Sequence, residues 1–171
     1  MNITFLKQLG ITLLALTVSN SSFADSEKQY DIELHPLPTG TYTLSGQLTP
    51  SLKEEFLFDT GASMVMIGKK LFDQISKHHK PVSTGKIAAV MASGNVKTIP
   101  TYTLPSLVLG NGCDVGPIEI AVVRGATRNL IGLNALSKLG SITIDIQHGK
   151  LLIDECPGRN LDAPQVAAIG K

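Results

Sequence analysis

The sequence predicts one mostly β domain with one or two short helices. Short segments that alternate apolar and polar residues recur from Tyr30 to Ile153, and Gly-, Asn- and Pro-containing turns separate them. Only two stretches, 68–75 and 134–139, carry a helical pattern instead.

The elements follow in order. Met1–Ala24 has the build of a targeting segment: Lys7 supplies the positive charge, Leu9–Val18 the apolar core, and Ser22-Phe23-Ala24 a small-residue cleavage pattern. Cleavage before Asp25 and export to the periplasm or the exterior are therefore expected. That apolar core is shorter than the ~20 residues a membrane-spanning helix needs, so no stable membrane insertion is predicted; the alternative is an uncleaved anchor. A domain from Asp25 to Cys156 follows, and from Pro157 to Lys171 the pattern becomes polar and aperiodic, as in a loose tail.

Within the domain, Tyr30–Leu34 alternates as a strand, and Thr41–Leu48 follows a Pro38-Thr39-Gly40 turn. Lys53–Phe58 is a third strand, and Gly68–Ile75 a short helix with Leu71, Phe72 and Ile75 on one face. Lys86–Met91 and Val96–Ile99 read as a hairpin around Gly94-Asn95. Leu104–Gly110 and Ile118–Arg124 are further strands, Asn134–Leu139 is a helix stopped by Gly140, and Ser141–Ile146 pairs with Lys150–Ile153 through a His148-Gly149 turn.

Charge excludes some functions. Of 15 basic and 14 acidic residues, removal of Lys7 leaves 14 and 14. A near-neutral chain gives no electrostatic case for nucleic acid. Cys113 and Cys156 are compatible with one disulfide in an exported protein, or with two free thiols. They lack zinc-site spacing, and His78-His79 reads as a solvated helix end, so neither metal nor cofactor is predicted.

The chemistry lies at Phe56-Leu57-Phe58-Asp59-Thr60-Gly61-Ala62-Ser63. An apolar strand delivers an acid into a Thr-Gly turn, and Met64–Ile67 runs apolar straight after. A carboxylate in such surroundings is a candidate for catalysis, whereas Asp-Thr-Gly alone is also an ordinary turn. A second element, Asn129–Leu136, places Ile131-Gly132 before the second helix.

Together these runs resemble the Asp-Thr-Gly-Ala/Ser signature and the hydrophobic-hydrophobic-Gly element of retropepsin-like aspartic proteases. A single signature points to the single-lobed, retroviral type, in its bacterial exported branch. The resemblance covers about Lys53–Ile153 and implies a single-lobe acid-protease β-barrel acting as an endopeptidase. It also implies a homodimer, because each chain brings one Asp59 and the reaction needs two carboxyls. By resemblance, Thr60 directs its hydroxyl across the two-fold axis. Gly61 admits the backbone, Ala62 and Ser63 line the site with Ser63 a donor to Asp59, and Ile131 and Gly132 pack behind the turn. Met91, Ala92, Ser93, Gly94, Asn95 and Val96 form a flap over a peptide substrate. Asn134 matches the family's Asn or Asp, whereas Leu133 departs from the Arg usual in viral members. Asp73 and Asp145 are weaker candidates, Asp145 because its strand position points outward. The rival readings are a non-catalytic peptide- or ligand-binding module on the same fold, and an envelope β-barrel of unrelated fold.

Overall fold

A computed structural model of the protein describes residues 30–158. The expected targeting segment and all of the expected tail beyond Gly158 lie outside them.

Strands β1 (Tyr30–Glu33) and β2 (His35–Pro36) lead into the hairpin of β3 (Tyr42–Thr49) and β4 (Leu52–Phe58). Next come β5 (Val65–Gly68), α1 (Lys69–His78), and the long pair β6 (Val82–Val90) and β7 (Val96–Leu104). The short β8 (Val108–Leu109) and β9 (Cys113–Asp114) precede β10 (Ile118–Val123) and β11 (Asn129–Ile131). Helix α2 (Leu133–Leu136), β12 (Ile142–Asp145) and β13 (Lys150–Ile153) close the order.

Strands β1, β13 and β12 form a three-stranded sheet, and the other ten form one continuous sheet in the order β6-β7-β10-β5-β11-β4-β3-β8-β9, with β2 alongside β3. β4 and β5 are consecutive in sequence yet do not pair. Instead β11 lies between them, parallel to β4 and antiparallel to β5. The turn that leaves β4 at Asp59 is therefore closed by a strand arriving some seventy residues later (131 − 59 = 72).

Alternation places two layers on this sheet. Phe56, Val65, Ile67, Ile120 and Ile131 are fully buried and meet Leu44, Leu136, Leu139 and Leu151 in the main core. Burying a side chain of Phe or Ile size stabilises by ~1.5–3 kcal/mol. Phe56 gains its place because Gly46, diagonal to it on β3, has no side chain: a Cβ there would lie 2.7 Å from the ring. On the opposite face Ile99, Ala121 and Val123 form a second, smaller cluster, with Met66, Ile87, Ala89 and Met91 half-buried against it.

Helix α1 buries Leu71 and Ile75, and Phe72 stacks on Tyr102 with ring centroids 4.4 Å apart. Lys77 and His78 suit the negative end of its dipole, and Pro81 prevents continuation. His78 and His79 sit at that end, as expected. The helix is one turn longer than its apolar pattern suggests.

One expected strand is different. Leu104 ends β7, Pro105 interrupts the ladder, and only Val108–Leu109 of the stretch to Gly110 is strand. Leu107 and Leu109 are nevertheless fully buried, so hydrophobic content was a better guide to burial here than to extended pairing.

Cys113 and Cys156 are joined by a disulfide, with Cα atoms 5.4 Å apart. Two residues on, the Gly158 N–H donates to the Asp114 carbonyl, 2.8 Å, so the chain stays fastened to β9 past the bridge.

Candidate active site

The Asp59 turn is held almost entirely by main chain. The Asp59 N–H donates to the Ile131 carbonyl at 3.1 Å, extending the β4–β11 pairing by one rung. The Ala62 N–H closes the turn onto the Asp59 carbonyl at 3.3 Å. The carbonyls of Ala62 and Ser63 accept from the N–H groups of Leu133 and Asn134 at 2.8 and 3.0 Å. Those donors sit at the start of α2, where a helix leaves its first N–H groups unpaired, so turn and helix satisfy each other.

Gly132 makes this closeness possible. A Cβ on it would lie 2.4 Å from the Met64 carbonyl oxygen and 2.7 Å from that of Ala62. Its φ is −107°, ordinary for any residue, so space alone demands glycine.

Asn134 braces the arrangement from behind. Its Oδ1 accepts from the buried Val65 N–H at 2.8 Å, and its Nδ2 donates to the Glu119 carbonyl, also at 2.8 Å. One amide thus ties α2 to both β5 and β10. Asn129 makes a single tie at the other end of β5, where its Oδ1 accepts from the Gly68 N–H at 3.0 Å. Asn134 matched a sequence pattern; nothing local marked Asn129, whose partner is 61 residues away.

The Asp59 side chain is half-buried, and Oδ1 accepts from the Gly61 N–H at 2.9 Å. This is the one hydrogen bond its carboxylate makes among the described residues. A Cβ on Gly61 would sit 3.2 Å from that oxygen. Ser63 contributes its carbonyl, and among the described residues its hydroxyl makes no bond to Asp59 within the protomer. Thr60 is exposed at the tip of the turn, and Ala62 is half-buried.

Beside Asp59 runs an apolar row. Leu57 faces Leu130 across β4 and β11, Leu130 faces Met66, Met66 faces Ala121, and Ala121 faces Thr101 on β7. Leu57, Leu130 and Met66 are half-buried in the protomer. The β6–β7 hairpin continues the row. Its tip is closed by Met91 N–H to Asn95 carbonyl and Gly94 N–H to Met91 carbonyl, both 2.8 Å, with Gly94 at φ 80°. Met91 packs on the second cluster, whereas Ala92, Ser93, Gly94, Asn95 and Val96 are exposed.

Other acids are committed elsewhere. Asp73 pairs with Lys69 along α1. Asp145 does not point freely outward as expected: it is half-buried and bonds the His148 N–H at 3.0 Å and its Nδ1 at 2.7 Å. These bonds, the backbone one foremost, hold its carboxyl below the ordinary range. A concavity of about 520 Å³ between β1 and the β12–β13 turn, and one of about 210 Å³ beside α1, do not include Asp59.

Comparison with known proteins agrees with this geometry. A family model described as "gag-polyprotein putative aspartyl protease" matches residues 51–138, just over half of the chain and the whole of the Asp59, hairpin and Gly132 elements. Among solved structures, a retropepsin-like aspartic protease from Rickettsia conorii superimposes with a TM-score of 0.52 at 18% identity. That match covers 74% of this chain and 90% of the other. A search of curated protein sequences finds no significant match. The chain belongs to the gag-polyprotein type of aspartyl protease family and has the retropepsin-like fold.

Proposed function

We propose that the protein is an aspartic endopeptidase whose active centre is a pair of Asp59 carboxyls, one from each chain of a homodimer. The observation that carries the reading is the fixed Asp59 turn. Backbone bonds from the distant segment 131–134 hold it, and its half-buried carboxylate lies beside an apolar row.

Two carboxyls held close cannot both ionise easily, so they share a proton and titrate as a unit; aspartic proteases are the standard example. The ionised oxygen takes a proton from water as that water attacks the peptide carbonyl. The protonated carboxyl gives its proton to the carbonyl oxygen. A tetrahedral diol forms, and proton return to the nitrogen breaks the C–N bond. Among the described residues one protomer offers the Asp59 carboxylate only the Gly61 amide, so in this reading the second carboxyl comes from a second copy across a two-fold axis. In this reading the hydroxyl of Thr60, which is exposed, crosses that axis.

Leu57, Leu130 and Met66 favour uncharged, apolar side chains next to the scissile bond. The β6–β7 hairpin acts as the flap, adding strand-like backbone bonds to an extended peptide. The Lys7, apolar-core and Ser22-Phe23-Ala24 series supports export, and the Cys113–Cys156 bridge suits an oxidising compartment.

The test is cleavage of a mixed peptide library by the mature chain and by Asp59→Asn, over a range of concentrations. Asn keeps shape and hydrogen bonding but cannot share a proton, so activity should fall at least about a thousandfold with the fold retained. Specific activity should decline on dilution as dimers separate, and excess Asp59→Asn chains should poison the wild type. Full activity in a monomeric sample, indifferent to the mutant, would end the shared-site reading. Specific peptide binding without cleavage would favour the non-catalytic module instead.

A further inference from the structure

Several features of the β6–β7 hairpin coincide at one level of the sheet. β7 pairs with β10 from Leu104, opposite Ile118, to Thr101, opposite Ala121. Beyond Thr101 it pairs with β6 alone. At the same level the β6–β7 register shifts between Ser83 and Gly85, a bulge that leaves Thr84 as the extra residue. Gly85 has a φ of 122°, which a side chain resists, and a Cβ there would meet nothing within 4 Å. The backbone angle therefore calls for glycine, and crowding does not. The next pair is Lys86 with Pro100, and proline has no N–H to offer either neighbouring strand.

A polar cross-link marks this boundary. Thr84 Oγ1 lies 2.7 Å from Thr101 Oγ1 and 2.5 Å from Glu119 Oε1. A carboxylate only accepts, so Thr84 donates to Glu119, and Thr101 donates to Thr84. The chain of bonds spans β6, β7 and β10. It also gives the Thr101 side chain, on a residue 1% exposed, its partner. Without Thr84 that buried hydroxyl would lose its only bond among the described residues. The other atoms that face Glu119 matter too: its carbonyl accepts from Asn134 Nδ2, the amide that braces Val65 behind the Asp59 turn.

Past the boundary the hairpin is a light arm. Ile87, Ala89, Met91 and Ile99 rest on Ala121, Val123 and Met66, while Val90 and Val96, paired across the tip, are 75% and 66% exposed. Such a segment, with one paired edge and a small apolar underside, belongs to the low-stability end of a structure.

We propose that Thr84, Thr101 and Glu119 form the pivot of this arm. They pin β6 to β7 and β10 at the bulge, and residues 87–99 swing as a unit about Gly85 and Pro100. Glu119 is a positioning residue that sets the resting angle of the arm. Its consequence for catalysis rests on the protease reading, because the arm then governs access to Asp59; the pivot itself does not.

The test is hydrogen exchange on the intact protein, read beside peptide cleavage. In the wild type, amides of 87–99 should exchange as one block, faster than those of 101–104 and 118–121. Thr84→Val keeps the branched shape without the hydroxyl and should speed exchange of the arm about tenfold. Glu119→Ala should act in the same direction from a surface position, and carries the test if Thr84→Val fails to fold. Glu119→Gln keeps an acceptor oxygen and should restore most of the protection. In cleavage assays KM should rise in the order of the exchange rates, with kcat changing less. Equal exchange on both sides of Thr101 in the wild type, or wild-type arm exchange in Thr84→Val and Glu119→Ala, would overturn the pivot. A wild type that cleaves nothing would end the protease reading and leave the exchange result standing.

Discussion

The Asp59 turn and the β6–β7 arm are built in opposite ways. The turn is bonded through its backbone to Ile131, Leu133 and Asn134, and its neighbours Phe56, Val65 and Ile131 are fully buried. The arm bonds mainly to itself, leaves β10 after Thr101, and exposes both valines nearest its tip. On the proposed function, a carboxyl that meets another across a dimer axis needs to be fixed to within a fraction of an ångström. A segment that must admit a chain of peptide needs to open at small cost. The contrast is the one those demands would require, and each part of it can be broken separately.

The largest effect should come from Gly132→Ala. The added methyl would sit 2.4 Å from the Met64 carbonyl oxygen, and main chain on both sides leaves it no escape. A loss of about 3 kcal/mol is expected, with the turn and α2 forced apart. Chemical denaturation measures it. Gly94→Ala is the matching change in the arm: φ there is 80°, but the space is open, so a cost of only about 1 kcal/mol is expected. Equal costs at the two glycines would remove the contrast.

Asn134→Ala comes next. It removes two bonds at once and leaves the Val65 N–H, on a residue with no exposed surface, without a partner. About 2 kcal/mol should be lost, and exchange of the Val65 amide should rise above the rate that global unfolding sets. A loss of activity larger than the loss of folded protein would show that the brace positions Asp59 as well as stabilising it.

These residues also show what a sequence reveals. The Asp59 turn, the Gly94-Asn95 tip and the Gly132 element are each written in a few adjacent residues, because turn chemistry and close packing make local demands. The insertion of β11 between β4 and β5 is not local: the pairing of Leu130 with both Leu57 and Met66 joins segments with no shared pattern. The same holds for Asn129 and for Thr84, Thr101 and Glu119, which look like ordinary surface polar residues until three strands bring them together. The stretch 104–110 looked like a strand because burial and extended pairing leave the same apolar trace; Pro105 was the local signal against it. For Ser63, resemblance suggests a side-chain donor to the outer oxygen of Asp59; the one bond its carboxylate makes among the described residues is from the Gly61 amide to Oδ1.

The smallest effect concerns charge. The strand that delivers Asp59 also carries Glu55, whose Oε2 lies 3.1 Å from His35 Nδ1 on β2. Partial burial works against ionisation of Glu55, but hydrogen bonds from Thr43 and His35 and the positive charges of His35 and Lys53 outweigh it and hold the carboxyl below its ordinary value of 4.5. A carboxylate with a lowered folded-state pKa adds stability above its unfolded value, and that contribution is lost as pH falls through the folded value. Glu55→Gln should therefore lower stability slightly near neutrality and leave it unchanged in strong acid, flattening the acid limb of a stability–pH curve. Both partners are about half exposed, with side-chain exposures of 46% and 51%, so the effect should stay below about 0.5 kcal/mol. Thermal melts at a series of pH values decide it. A larger change near neutrality would mean that this surface pair carries much of the rigidity of β4, whereas one that persists below the folded-state pKa would mean that its origin is not the carboxylate charge.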